Sequence, residues 1–298
     1  MPHWINQYKI IARRMLSQTG ERTLIAAIAP PKSSCINTVT SIVFSQNEDL
    51  LLAEALLSSV PYDALIKILG RSDFYYETAQ SLPWVKNKYA TDLIARSLLL
   101  NAVTEEYSSL YESTVDSISS ANQWAKNDTR LSNSKFISLP SSYRQENALR
   151  TDYERREAMI EIDVLTAMAL NMSLNQLNTL YRILFPVLQS YEADTWYDTN
   201  GRIVFTNNRS LTGVGFSRPE FENPNVVTPI RRSDAPWDGI MKHAPAGYVF
   251  ARTITDDTMP GGPVERTIEY HAPFDRCDRE QDYETAWKFF EEKYGGQV

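Results

Sequence analysis

Residues 21–44 constrain the fold more than any other part of the 298-residue chain. Within them, residues 24–29 form an apolar run rich in Ile and Ala, which is typical of a buried strand. Pro30 and Pro31 stop this run, because proline has no N–H to donate to a strand ladder. After a polar connector, residues 36–44 form a second extended run rich in Val, Ile and Thr. The segment therefore predicts two strands that follow each other along the chain.

Elsewhere, the spacing of apolar residues favours helices in the first two thirds of the chain and strands after Tyr191. The predicted helices cover residues 4–16, 49–57, 62–69, 90–112, 149–170, 174–185 and 278–294. Ser173 is the expected N-cap of the sixth helix, and the aromatic residues 74–76 suggest a short strand. The Asn200-Gly201 pair predicts a β-hairpin, and residues 265–270 predict one further strand.

These elements predict an α+β fold in which a small mixed sheet is joined to a helical segment and a loop-rich, hairpin-containing C-terminal part. Composition divides the chain into four regions. They are a target-recognition-like α/β domain at 1–112, a linker or loose loop rich in Ser, Asn and Gln at 113–148, a helical segment at 149–190, and a hairpin and loop-rich region at 191–298 that a C-terminal helix closes.

Charge and composition limit the classes of function. The net charge of −7 argues against general coating of nucleic acid, although residues 1–46 are locally basic and could form a positive face. The N-terminus lacks the apolar core of a signal peptide, and no apolar run is long enough to span a membrane. Two isolated cysteines favour a reducing compartment. The expected location is therefore the cytoplasm, with no membrane partner.

The motifs of common enzymes are missing from the sequence. The three histidines are scattered, no GxSxG elbow is present, and Gly213-Val214-Gly215 lacks the third glycine of a nucleotide loop. Pro30-Pro31 follows alanine, so it is not the Asn/Asp-Pro-Pro pocket in which an adenine methylase stacks a flipped base. We therefore predict no catalytic residue, no metal ligand and no cofactor site in this chain.

The sequence nevertheless resembles the C-terminal target-recognition region of large Type IIG-like adenine-specific DNA methylases, which occur in restriction-modification and in DISARM- and BREX-type phage defence. Its first half is also similar to the recognition domains of Type I restriction specificity subunits. The segments that carry the resemblance keep their order along the chain: YKIIARR at 8–14, ERTLIAAIAPP at 21–31, ALLSS at 55–59, RS at 71–72, LPW at 82–84, ERRE at 154–157, EID at 161–163, YE at 191–192, DTWYD at 194–198, GRIVFT at 201–206, GVGF at 213–216 and FDRCDRE at 274–280.

The resemblance implies that the chain recognises a sequence in double-stranded DNA and does no chemistry itself. Family members carry a methylase domain N-terminal to this region, whereas this sequence starts at Met1 without one. The expectation is a separate adenine methylase chain or a longer polypeptide, and S-adenosylmethionine would bind there. The alternative is a protein-interaction scaffold of a defence complex, without direct DNA contact. Residues 154–157 indicate either a solvated helix face or a docking surface for a methylase domain.

The candidate DNA contacts are polar or aromatic residues beside the predicted strands and turns. Arginine suits this role because its planar fork binds phosphate or the O6/N7 edge of guanine. An intramolecular ion pair, an ordinary surface turn or core packing remains an alternative for each residue. The candidates are Arg13, Arg14, Arg22 and Lys32 near the first strands, Arg71, Ser72 and Tyr75 in a recognition loop, and Arg202, Arg209 and Arg218 in the second half.

Overall fold

The computed structural model describes residues 3–118, 123–137, 139–208, 211, 214–216, 244, 246–257 and 261–295. Its contacts divide the chain into two compact units. The helical unit comprises Met1–Arg150, Glu154–Gln189 and Arg279–Val298, and the hairpin unit comprises Thr151–Tyr153 and Ser190–Asp278. The four-region division drawn from composition remains a prediction.

A three-stranded antiparallel sheet opens the helical unit. Its strands are β1 (Lys9–Arg13), β2 (Ala26–Ala29) and β3 (Val39–Val43), in the order β2-β1-β3. Ile10 lies opposite Ile28 and Ile42, and the buried side chains of Ile10, Ala12 and Ile28 anchor the inner face. The two strands predicted around Pro30-Pro31 are confirmed, as is the α+β class. The sheet is antiparallel throughout, where a mixed sheet was expected.

The helix predicted at residues 4–16 is wrong, and so is the strand at residues 74–76. A 3₁₀ turn at Trp4–Asn6 precedes β1, which is the central strand of the sheet. The residues of β1 satisfy both spacings, since Ile10 and Ala12 also alternate with Ile11 and Arg13. Pairing with a strand on each side selects the extended form. Residues 76–80 are helical, and of the three aromatic side chains at 74–76 only Phe74 is buried.

Ten α-helices occur in the part of the chain that the structure describes. Most predicted helices are confirmed, but the one expected at 90–112 is divided by a short turn into two. The helices are α1 (Asn47–Ser58), α2 (Val60–Leu69), α3 (Tyr76–Gln80), α4 (Ala90–Asn101), α5 (Ser108–Thr114), α6 (Ser134–Ile137), α7 (Asp152–Ala169), α8 (Leu174–Leu184), α9 (Pro186–Ala193) and α10 (Arg279–Gly295). None of them is long and apolar enough to cross a membrane.

Helix ends follow the local sequence closely. Ser173 accepts the N–H of Gln176 and the Gln176 side chain accepts the N–H of Ser173, so the predicted cap of α8 is a complete capping box. Gly70 ends α2 with φ near 61°, a left-handed conformation that glycine adopts without strain. These ends fix the lengths of the helices that surround the core.

Buried ion pairs tie the helices together. The Arg96 side chain of α4 is fully buried, and its Nε lies 2.5 Å from Glu161 of α7. Asp163 of α7 accepts Arg279 of α10 at 2.7 Å. Glu157 and its neighbour Glu154 are also buried, so residues 154–157 are not the solvated face or docking surface expected from their charges. The buried charged side chains of this helix therefore make contacts inside the helical unit.

The hairpin unit contains two two-stranded sheets, β4 (Trp196–Tyr197) with β5 (Ile203–Phe205) and β6 (Val249–Asp256) with β7 (Val264–His271). The turn at Asn200-Gly201 joins β4 to β5, as predicted, and Gly201 has φ near 77°. The strand predicted at 265–270 is confirmed as β7. A small core of buried aromatic and aliphatic side chains includes Trp196, Val204, Phe205, Phe216, Tyr270 and Phe274.

Candidate nucleic-acid interface

Two separate segments of the helical unit converge at the end of β1. Phe74 donates its N–H to the carbonyl of Arg14 at 2.7 Å, and Leu16 donates to the carbonyl of Ser72 at 2.9 Å. An antiparallel bridge joins Met15 and Asp73 between these two bonds. The predicted recognition loop is therefore fixed by its backbone beside the predicted basic residues. We call this set of side chains the arginine rim, defined as Arg13, Arg14, Arg71, Ser72 and Tyr75.

Arg14 organises the arginine rim. Its Nη1 donates to Oδ1 of Asn37 at 2.6 Å, and its Nε lies 3.4 Å from Oδ1 of Asp73. The guanidinium carbon lies 5.3 Å from the centre of the Tyr75 ring, within cation–π range. Arg14 is thus held between a turn residue before β3, a loop carboxylate and an aromatic face. A guanidinium fixed in this way keeps a constant position relative to a bound ligand.

The other side chains of the rim face solvent. Arg13 and Arg71 are exposed, and within the described residues neither makes an ion pair or a side-chain hydrogen bond. Ser72 is exposed and donates its hydroxyl to Asp73 at 3.0 Å, while 48% of the Tyr75 surface remains accessible. Three arginines against the single carboxylate of Asp73 give this corner a local positive charge, despite the net charge of −7.

Arg22 belongs to the interior. Its Nε donates to Asp63 at 2.7 Å and its Nη2 donates to the carbonyl of Ser58 at 2.5 Å. Asp63 is fully buried and also accepts the backbone N–H groups of Thr23 and Leu24. The side chain of Arg22 is 15% exposed, so its guanidinium has little surface to offer a ligand. The ion pair that the sequence left open as an alternative is present, with Asp63 as the acid.

The remaining candidates lie apart from the rim. Lys32 is exposed, and its N–H donates to the carbonyl of Ile5 beyond the opposite end of β1. Arg202 belongs to the hairpin unit, where its Nη1 donates to the carbonyl of Glu269 at 2.8 Å. The Asp198 carboxylate accepts the backbone N–H of Arg202, and this takes the place of the expected ion pair with its side chain. Arg209 and Arg218 lie outside the described residues.

An apolar groove of about 360 Å³ runs along the outer face of the sheet beside the rim. Sequence reasoning did not foresee this groove, because its residues come from all three strands and from positions next to the strand ends. Met15 is 60% exposed and Ile25 is 48% exposed, which is unusual for large aliphatic side chains grouped on one surface. The lining consists of Ile11, Ala12, Arg13, Met15, Ile25, Ala26, Ala27, Thr38 and Val39.

The buried titratable side chains of the helical unit form hydrogen bonds and ion pairs with other groups of the same unit. Arg96 donates to Asp92, to Glu161 and to the carbonyl of Gln123. Burial raises the pKa of Glu161, and the positive charge of Arg96 partly opposes that rise. Burial likewise raises the pKa of Glu54, whose carboxylate accepts the hydroxyls of Ser97 and Ser58. Groups engaged in this way stabilise packing between helices.

Comparisons with known proteins give no independent assignment. No protein-family model matches the sequence, and neither the curated proteins nor the solved structures give a match. The functional argument therefore depends on the residues themselves, and above all on the arginine rim.

Proposed function

We propose that the chain is the DNA-recognition part of a bacterial adenine-N6 methyltransferase or restriction-modification and anti-phage system, and that the arginine rim contacts double-stranded DNA. The observation that carries the proposal is the backbone pairing that brings the segment with Arg71 beside the end of β1, which carries Arg13 and Arg14. Arg13 and Arg71 make no ion pair or side-chain hydrogen bond with the described residues, so their charges are available to phosphate. In this proposal the protein acts in the cytoplasm.

Preorganisation of the rim supports this assignment. Arg14 is oriented by Asn37, Asp73 and Tyr75, and the loop that carries Arg71 is bonded through its backbone to the end of β1. A fixed guanidinium loses less conformational entropy on binding than a free one. Arg13 and Arg71 would supply phosphate contacts, while Arg14 would hold Tyr75 and the Asp73 loop in position beside them. Methyl transfer, with S-adenosylmethionine, would belong to an adenine methylase domain or chain that works with this one.

The proposal predicts salt-dependent DNA binding through the rim. The double variant Arg13→Ala/Arg71→Ala should bind a randomised duplex more weakly at low salt. Its plot of log affinity against log salt should also be shallower, by about 0.9 for each phosphate that the variant no longer neutralises. Fluorescence anisotropy over a range of salt concentrations measures both quantities. Lys86→Ala/Lys288→Ala is the matched control, since it removes two exposed positive charges that do not belong to the rim.

Two outcomes would refute DNA contact at the rim. The first is the absence of duplex binding at low salt, both for the chain alone and together with a cognate methylase chain. The second is an equal loss of affinity in the rim variant and in the lysine control, because the effect would then report total charge alone.

A second candidate is the protein-interaction scaffold, and the apolar groove favours it. Exposed Met15 and Ile25 are the kind of side chains that a partner protein covers. In that case Met15→Ser/Ile25→Ser would abolish co-elution with the partner methylase in size-exclusion chromatography, whereas Arg71→Ala, outside the groove, would leave the complex intact. DNA binding that survives the groove variant and fails in the rim variant would favour the recognition role.

A further inference from the structure

A second cavity lies in the helical unit, on residues that the DNA proposal does not use. It has a volume of about 300 Å³, at the lower end of the range for ligand pockets. It is an open pocket, lined by the two residues before α4, by residues from the end of α7 and just after it, and by the last turns of α10. We call it the aromatic cavity. Its chemically distinctive lining residues are Lys88, Tyr89, Trp287, Glu291 and Tyr294.

Three aromatic rings form its walls. The Tyr89 and Tyr294 rings meet edge to face, with centroids 4.8 Å apart. Trp287, Glu291 and Tyr294 are spaced at i, i+4 and i+7 on α10, so they share one face of that helix. The helix therefore presents a carboxylate between two aromatic side chains. Aromatic faces with an adjacent carboxylate attract cations, since both the ring quadrupoles and the carboxylate carry negative charge toward the ligand.

The cavity already accepts an ammonium group that belongs to the chain. Nζ of Lys88 lies 5.5 Å from the centre of the Tyr89 ring and 6.0 Å from that of Tyr294. The same ammonium donates to the carbonyl of Tyr294 at 3.1 Å. Lys88 is exposed, so its side chain can leave the rings at low cost. The Lys88 ammonium is thus a cation of the chain itself that lies against the two tyrosine rings of the cavity.

Two polar groups of the cavity have no bonding partner among the described residues. Within the described residues, neither the Glu291 carboxylate nor the Trp287 indole N–H has a hydrogen-bond or ion-pair partner. Glu291 and Tyr89 both line the cavity, and burial together with the negative charge of Glu291 raises the pKa of Tyr89. A ligand that brought positive charge would meet Glu291 and Trp287, and would take the position of Lys88 against Tyr89 and Tyr294; Lys293 also lies 5.5 Å from the Tyr294 ring.

We propose that the aromatic cavity binds a methylated ammonium group, with Trp287 and Tyr294 as its walls and Glu291 as its counter-charge. A methylated ammonium is weakly hydrated and cannot donate several hydrogen bonds, so aromatic faces suit it better than they suit a primary amine. Lys88 competes for the same position and lowers the apparent affinity. This site is independent of the arginine rim and of any DNA contact made there.

Equilibrium dialysis of the whole chain against choline tests the proposal. The neutral probe 3,3-dimethylbutanol has the same shape without the charge, so it separates cation binding from burial of apolar surface. We expect choline to bind about 10-fold more tightly than the neutral probe, since cation–π attraction and Glu291 act on the charge alone. A trimethyl-lysine amide, run in parallel, distinguishes a protein side chain from a free solute as the natural source.

Variants locate the binding and can overturn it. Trp287→Ala should abolish choline binding, Glu291→Gln should weaken it several-fold, and Lys88→Met should strengthen it by removing the competitor. Trp84→Ala is the matched control, since Trp84 is an exposed tryptophan that stacks on Phe44. Equal binding of the neutral probe, or undiminished choline binding in a folded Trp287→Ala protein, would refute the site. So would choline binding that Lys88→Met leaves unchanged.

Discussion

Arg22 stabilises the fold, whereas Arg13 is exposed, and the free energy of unfolding should distinguish the two roles. Arg22→Ala should lower the free energy of unfolding by about 2–3 kcal/mol, because Asp63 would stay buried with part of its negative charge uncompensated. Arg13→Ala should change it by less than about 0.5 kcal/mol, because Arg13 is exposed. Urea denaturation of both variants gives the comparison. If Arg22→Ala were as stable as the wild type, the Arg22–Asp63 pair would not be a structural contact.

The buried carboxyl of Glu157 should make stability depend on pH. Burial, assisted by the negative charge of Asp282 and Glu161 and opposed by Arg156 and Lys126, raises the pKa of Glu157 from 4.5 to about 7. The folded chain therefore binds this proton more tightly than the unfolded chain. The stabilisation is complete below pH 4.5 and is lost as the pH rises through about 7.

Glu157→Gln removes that titration. The decline in the free energy of unfolding between pH 4.5 and about 7 should shrink by up to about 3 kcal/mol in this variant. Urea denaturation at several pH values measures the decline. Glu292→Gln, on the exposed side of α10, controls for the loss of one negative charge. An identical pH profile in wild type and Glu157→Gln would contradict the assignment.

At the scale of elements, Asp163 links three helices. Its carboxylate accepts the N–H of Val60 at the start of α2, and from α10 it accepts both Nη1 of Arg279 and the hydroxyl of Tyr283. Asp163→Ala should cost about 3–5 kcal/mol, because it leaves a buried arginine without its counter-charge. Hydrogen exchange should show α10 losing protection first. Lys288→Ala breaks only the exposed pair with Glu284, so about 0.5 kcal/mol or less is expected.

The elements also show why some predictions succeed and others fail. Strands β2 and β3 were predictable because Pro30-Pro31 and β-branched residues act locally. Strand β1 was not predictable, because its apolar residues fit helix and strand spacing equally and pairing with the two neighbouring strands decides between them.

The arginine rim shows the same limit of prediction from local sequence. Its members were predicted singly, but their convergence depends on a backbone pairing between residues 14–16 and 72–74 that local spacing does not encode. The aromatic cavity likewise joins residues that are distant in sequence.

At the scale of the whole molecule, the hairpin unit is mostly one continuous insertion into the helical unit. Arg182 and Glu280 are joined by a hydrogen bond of 2.7 Å, so the ends of the helical unit on either side of the insertion come close together. Replacement of residues 190–278 by a short Gly/Ser linker should leave a helical unit that unfolds cooperatively. Far-UV circular dichroism during urea denaturation measures this. The same excision with Asp163→Ala should unfold at lower urea, and a non-cooperative transition in the parent excision would contradict the expectation.

The discontinuity of the helical unit has a consequence for biosynthesis. During synthesis the whole hairpin unit leaves the ribosome before α10 does. The hairpin unit can therefore fold while the helical unit still lacks α10. Until then Asp163 lacks Arg279, and Asp92 lacks Lys293 and the hydroxyl of Tyr294. Chains that terminate before residue 279 therefore keep the Asp163 carboxylate without its arginine inside an incomplete core, while Asp92 keeps Arg96. Helix α10 thus separates chains that can close this core from truncated ones that proteases can remove.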